Sequence, residues 1–212
     1  MQPKIPWTDQ TTKLLSENKP YTQLQMVWPE RLLDAPPTVG APPGYALRLY
    51  RQGDEPRFCK LMELRGWPGW NDEKLRPWLA RIPPGSWFMA VHEASNEIVA
   101  SAMGLHDHSD LHPFGGELGW VAGDPAHAGK GLGMTVCAAV TARLIEAGYR
   151  DIHLYTEHWR LAALKTYLKL GYVPFLFVPE MPDRWRAVCA QLRWPFTPEA
   201  WPSAGGAGIG ET

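Results

Sequence analysis

The run Gly129-Lys130-Gly131-Leu132-Gly133-Met134 holds the residue types that could do chemistry most directly. Its glycines leave backbone N–H groups bare. The run opens into a helical pattern, Met134 to Ala147, after an apolar strand-like segment, Leu118 to Ala122, and a turn, Gly123-Asp124-Pro125. A bare loop at the positive end of a helix is a phosphate cradle. A dinucleotide fingerprint needs Gly-x-Gly-x-x-Gly after the first strand of a parallel sheet. Here the spacing is Gly-x-Gly-x-Gly after the fourth strand. A P-loop needs Gly-Lys-Ser/Thr, and Gly131 follows Lys130. A third reading, a cradle for the pyrophosphate of coenzyme A, is open. Lys130 is either a charge for that phosphate or a solvated lysine. Asp124 reads as the cap of the turn and His127 as an exposed loop histidine.

A second cluster is His106-Asp107-His108-Ser109-Asp110-Leu111-His112. Imidazoles and carboxylates so close in sequence can ligate zinc or nickel. Their spacing is no fixed-geometry signature, so the expectation is a polar connection and no metal. The three cysteines, Cys59, Cys137 and Cys189, are scattered and odd in number. They read as reduced thiols, which places the chain in the cytoplasm. Lysine plus arginine total 21 against 22 acidic residues, a formal net charge of −1. That balance gives no general attraction to nucleic acid or to an anionic membrane surface. No apolar run is long enough to span a bilayer, and the N-terminus lacks an apolar signal core. With 45% apolar residues over 212 positions, the chain can bury one substantial core. It is expected as a monomer or homodimer.

The elements that must position these groups follow from periodicity. Residues 1–44 are proline-rich, with Ala35-Pro36-Pro37 and Ala41-Pro42-Pro43-Gly44, and read as an extension wrapping the domain, with a short helix near Thr11 to Glu17. Tyr45 to Tyr50 alternates as a strand. Asp54 to Arg65 and Asn71 to Arg81 read as helices capped by Asp54 and Asn71. Trp87 to Val91 and Glu97 to Ala102 form a hairpin across Ser95-Asn96, and Glu117 to Ala122 is a fourth strand. After the glycine loop and its helix come a strand (Ile152 to Thr156), a helix (Arg160 to Leu170) and a strand (Tyr172 to Val178). The principal domain thus spans 45–180. A helix over Asp183 to Arg193 lies within a C-terminal extension, 181–202, and a glycine-rich tail, 203–212, is expected to be disordered. An antiparallel start and a β-α-β-α-β end predict an α/β fold: a mixed, twisted sheet with helices on both faces.

Asp124-Pro125-Ala126-His127-Ala128-Gly129-Lys130-Gly131-Leu132-Gly133 resembles the acetyl-CoA loop of the GNAT superfamily of N-acetyltransferases, Arg/Gln-x-x-Gly-x-Gly/Ala, usually preceded by Asp-Pro. Ala163-Leu164-Lys165-Thr166-Tyr167-Leu168-Lys169-Leu170-Gly171-Tyr172 resembles that family's later helix, Ala-x-x-x-Tyr-x-x-x-Gly-Phe/Tyr. The two stand in the expected order with one strand between them. The resemblance is clear over residues 117–178 and reaches back to residue 45. It implies a mostly antiparallel sheet with a splayed pair of parallel strands. In the splay, acetyl-CoA as co-substrate would lie against the backbone of Val121, Ala122 and Gly123, with its pyrophosphate on Ala128, Gly129, Lys130, Gly131, Leu132, Gly133 and Met134. Ala163 would leave room for it. Three positions depart from the pattern. Ala128 replaces Arg or Gln, Arg160 stands where many members have Asn, and Gly123 replaces a β-branched residue. Lys130 or Arg160 would supply the missing charge.

The implied activity is acetyl transfer from acetyl-CoA to a primary amine, on a small molecule or a protein, by direct attack in a ternary complex. Tyr167 would be the acid at the departing thiolate and Glu117 the base. By position alone, Tyr167 is an amphipathic core residue; the paired motifs decide for the acid. Glu117 is balanced between base and strand-edge carboxylate. A backbone N–H near Val121 would meet the oxyanion. Trp67-Pro68-Gly69-Trp70, between the first two helices, would shape the acceptor pocket or simply pack. The alternatives are an idle CoA-binding or partner-binding module on this fold, and transfer from another acyl-CoA.

Overall fold

The computed structural model describes residues 23–204. The expected helix near Thr11 to Glu17 and residues 205–212 of the tail lie outside them. Seven strands among the described residues build one sheet: β1 (Leu24–Val27), β2 (Tyr45–Leu49), β3 (Trp87–His92), β4 (Glu97–Asp107), β5 (Gly115–Gly123), β6 (Ile152–Thr156) and β7 (Val173–Pro174). Their order is β2-β3-β4-β5-β6-β1-β7. Neighbours are antiparallel except β5 and β6, which run parallel. Five helices accompany them: α1 (Glu55–Leu64), α2 (Asp72–Leu79), α3 (Leu132–Glu146), α4 (Leu161–Leu170) and α5 (Met181–Leu192). None of the described helices is long and apolar enough to cross a membrane.

Period-two alternation along the strands divides the core. Phe58, Met62 and Leu75 of α1 and α2 pack with Trp87, Met89, Met103 and Leu105 on one face. Val136, Val140, Leu164 and Trp185 of α3 to α5 pack with Ala100, Ala102, Ile152 and Leu154 on the other. Gly104 permits the second contact: a β-carbon there would lie 2.9 Å from Ser86 Cβ and 3.2 Å from side-chain carbons of Leu144 and Val140. Asn71 caps α2 as expected, its side chain accepting from the Lys74 N–H at 3.0 Å.

Four expectations need correction. The Asp54 side chain does not cap α1; its carboxylate accepts from Arg48 and from the Arg51 N–H instead. Residues 24–27 do not wrap the domain. They form β1, which enters the sheet between β6 and β7, pairing Leu24 with Thr156 and Met26 with Pro174. The segment is short and lies between prolines, so only its long-range partners make it a strand. The last strand, expected over Tyr172 to Val178, pairs as a strand only at Val173–Pro174. The tail is tied down at its start, where Ser203 bridges Leu176 and the Leu176 N–H donates to the Pro202 carbonyl at 2.9 Å.

Candidate active site

The sheet opens where β5 and β6 part. Their ladder holds only two pairs, Gly116 with Ile152 and Glu117 with His153. On its other edge β5 pairs Gly119 with Met103 and Ala122 with Ser101. Trp120 and Val121 therefore face Ala102 alone, a β-bulge. Trp120 takes φ +48° there, a left-handed conformation costly for a bulky residue. Its indole is held edge-to-face by Trp67, Trp70 and Trp78, with ring centroids 5.9, 4.5 and 4.8 Å away. Packing thus retains the strain, and the bulge takes Trp120 and Val121 out of regular ladder pairing.

A cavity of about 750 Å³ occupies the opening. Glu117, Leu118, Trp120 and Val121 of β5 line it, as do Tyr155 and Thr156 of β6. Successive strand residues point to opposite faces, so the cavity runs through the gap from one face to the other. Trp67 and Trp78 line it from the α1–α2 cluster, with Arg81 beside them, and Ala163 and Tyr167 of α4 line it from the other cluster, while Arg160 rests on Trp67 between the two.

Glu117 and Tyr167, far apart in sequence, thus line one cavity. Burial, assisted by the charge of Asp107 and opposed by Arg81, pushes the Glu117 carboxyl up to about 7. Arg81 Nη2 donates to Glu117 Oε2 at 3.2 Å. Tyr167 is buried, and desolvation holds its phenol well above the ordinary tyrosine range; Cys137 adds to the rise and Arg160 opposes it. The hydroxyl therefore keeps its proton and can donate a hydrogen bond.

The glycine loop forms as the spacing requires. Asp124 Oδ1 accepts from the Ala126 N–H at 2.8 Å, closing a turn over Pro125–His127. Gly129 and Gly131 take φ +79° and +82°, and Gly131 is the N-cap of α3. A β-carbon at Gly129 or Gly133 would meet nothing within 4 Å. The backbone donors at this helix start are thus open to an anion, which fits a pyrophosphate. Lys130 Nζ lies 5.6 Å from the ring centroid of Tyr45, whose hydroxyl bonds His127 Nδ1 at 2.8 Å. Ala128 is exposed and carries no donor.

Of the expected site residues, Glu117, Val121, Arg160, Ala163 and Tyr167 line the cavity. Ala122, Gly123 and residues 128–134 are outside its lining. Ala122 is buried on the α1–α2 side, and both it and Gly123 pair with β4. Arg160 lies over Trp67, its guanidinium carbon 3.9 Å from the ring centroid, in the cavity wall rather than on the loop.

The histidine-rich segment comes apart. His106 bonds the Tyr149 hydroxyl, His108 the Pro113 carbonyl, and Asp107 turns inward to Arg81. His112 instead joins two residues distant in sequence, His153 and Asp151. Its ring stacks on His153 at 3.7 Å with planes 7° apart. In-plane lone pairs on parallel rings do not converge on one ion, and both His112 nitrogens are engaged, by Asp151 and Gln25. Sequence reasoning missed Arg81, Asp107, Tyr155 and Trp120, which line the cavity, and His153, which bonds Asp107 from behind it. Asp107 was visible within the polar cluster; the others gave no local signal.

The model of the acetyltransferase (GNAT) family matches residues 46–172. A mycothiol acetyltransferase of Mycobacterium sp. (strain MCS) is 33% identical over 161 residues, 70% of this chain and 51% of the relative. Another, from Nocardia farcinica, is 31% identical over 147 residues, 65% of this chain and 48% of the relative. The chain thus spans about half the length of these curated relatives. Among solved structures, a GCN5-related N-acetyltransferase from Sphaerobacter thermophilus shares the fold. Its TM-score is 0.57 at 21% identity, covering 78% of this chain and 53% of that one. On the family match, the glycine loop and the parted parallel strands together, this chain is a member of the GNAT family of acetyltransferases.

Proposed function

We propose that the protein transfers an acetyl group from acetyl-CoA to a primary amine on a small molecule, by direct attack with both substrates bound. The observation that carries this reading is the single cavity in the β5–β6 opening with Glu117 on one wall and Tyr167 on another. The names of the mycothiol acetyltransferase relatives support a small-molecule acceptor.

Bound acetyl-CoA supplies an activated thioester. The chain's own groups do the rest. The open N–H groups of residues 129–134 hold the pyrophosphate, and Lys130 adds charge beside them. Val121, freed from the ladder by the bulge, offers its N–H where oxyanion charge develops. Glu117 takes one proton from the attacking amine, directly or through a water. The N–C bond forms, the C–S bond breaks, and sulfur leaves as a thiolate that accepts a hydrogen bond from the Tyr167 hydroxyl. Holding the reactants in line supplies up to about 7–11 kcal/mol of the barrier in favourable cases.

The test is thiol release from acetyl-CoA, succinyl-CoA and a long-chain acyl-CoA across a panel of small primary amines and peptides. The expected result is turnover with acetyl-CoA and a small amine. CoA binding with no turnover on any acceptor would instead leave an idle binding module.

A further inference from the structure

Asp107 ends β4, and its carboxylate gathers three donors. Arg81 Nη2 lies 2.6 Å from Oδ1, while His153 Nε2 and the Tyr155 hydroxyl each lie 3.1 Å from Oδ2. The same Arg81 nitrogen reaches Glu117 Oε2 at 3.2 Å. One guanidinium nitrogen, through its two N–H groups, therefore serves two carboxylates, and the shorter contact goes to Asp107. We propose that Asp107 is a positioning residue for Glu117: it draws the Arg81 guanidinium toward itself, so that the cation steadies Glu117 without closing on it as a two-pronged ion pair. The proposal rests on the reading of Glu117 as the base.

The surroundings fit a device that holds one cation between two acids. Arg81 is pinned to β4, donating from Nε to the His106 carbonyl at 3.0 Å and accepting the His106 N–H at 2.6 Å. Its guanidinium also lies 4.9 Å from the Trp78 ring centroid. Without Asp107, the free end of the fork would turn to Glu117, the remaining carboxylate within reach; paired Arg–carboxylate bonds are the favoured geometry. His153 and Tyr155 add hydrogen bonds to Asp107 but no charge. His153 is fully buried, and desolvation, aided by His112, pushes its imidazole down to about 4, so it is neutral. Burial and the charge of Asp107 push Tyr155 up to about 12. His153 Nδ1 makes no hydrogen bond, with Asp151 Oδ1 3.9 Å away, so the carboxylate at Nε2 sets the tautomer. His112, stacked on the same ring and held by Asp151 and Gln25, keeps His153 in place. The other charged groups on the cavity wall are Arg65, Glu157 and Arg160, from the end of α1 and the start of α4.

The test compares kcat/KM against pH for wild type, Asp107→Asn, Asp107→Glu, Arg81→Met and Glu117→Gln, with one small amine as acceptor. In Asp107→Asn the acid limb should move to lower pH by about 1 unit, with a lower plateau, because Arg81 closes on Glu117. Arg81→Met should move the limb upward, and Asp107→Glu should restore it. A limb that stays put in Asp107→Asn, or moves down in Arg81→Met, overturns the proposal and leaves Asp107 a structural role. Glu117→Gln separates the two readings. A limb surviving in that variant removes Glu117 as the base, whereas a limb lost there but unmoved in Asp107→Asn sinks only the role of Asp107.

Discussion

The roles proposed for Glu117 and Tyr167 draw on one physical cause, loss of water, acting on groups of opposite task. Desolvation lifts the Glu117 carboxyl to about 7, a base poised near neutrality. It raises the Tyr167 phenol above the ordinary tyrosine range, so the hydroxyl stays protonated, and the role proposed for it is a hydrogen bond to the departing thiolate. Only the deprotonated carboxylate accepts a proton, so kcat/KM should fall about tenfold per pH unit below about 7. Glu117→Gln should lose that limb and drop the plateau by about 10²–10⁴. Taking the ratio of wild type to variant at each pH cancels the acceptor's own titration. Tyr167→Phe should lower kcat by about tenfold to a hundredfold, the worth of one hydrogen bond to a charged group, with the KM for acetyl-CoA little changed. An unchanged kcat would return Tyr167 to the core.

The elements divide by whether their signal is local. The glycine loop and α3 were legible because backbone freedom, cap and helix period lie within a few consecutive residues. Asn71 announced α2 in the same way. The bulge at Trp120 was not legible, since it is a register shift and exists only relative to β4. Nor was the parting of β5 and β6 visible except through family resemblance. Within the loop, Ala128 is exposed with extended backbone angles, φ −63° and ψ 153°, so a longer side chain fits there. Ala128→Arg should tighten CoA binding by about 1.5–3 kcal/mol, measured by titration calorimetry, with kcat unchanged. No gain would mean that Lys130, held beside Tyr45, already supplies the charge.

Across the whole molecule the sheet depends on a segment that reads as an appendage. Leu24 and Met26 are fully buried, and β1 is hydrogen-bonded on both sides, so β7 joins the sheet only through it. Met26→Ala should destabilise the protein by about 2–5 kcal/mol, read from the urea midpoint. A loss below 1 kcal/mol would show that the strand is dispensable. The sequence alone determined the glycine loop, with its left-handed turns at Gly129 and Gly131, and the helix α3 that follows it, because those features follow from local backbone chemistry and short-range spacing. Only the tertiary structure decided which polar residues meet. Strand alternation scatters His106, Asp107 and His108, while sheet order brings Arg81, Asp107, Glu117, His153 and Tyr155 into one network. Their contacts are made across strands and turns distant in sequence, and the burial that tunes Glu117 belongs to the assembled sheet rather than to any segment of it.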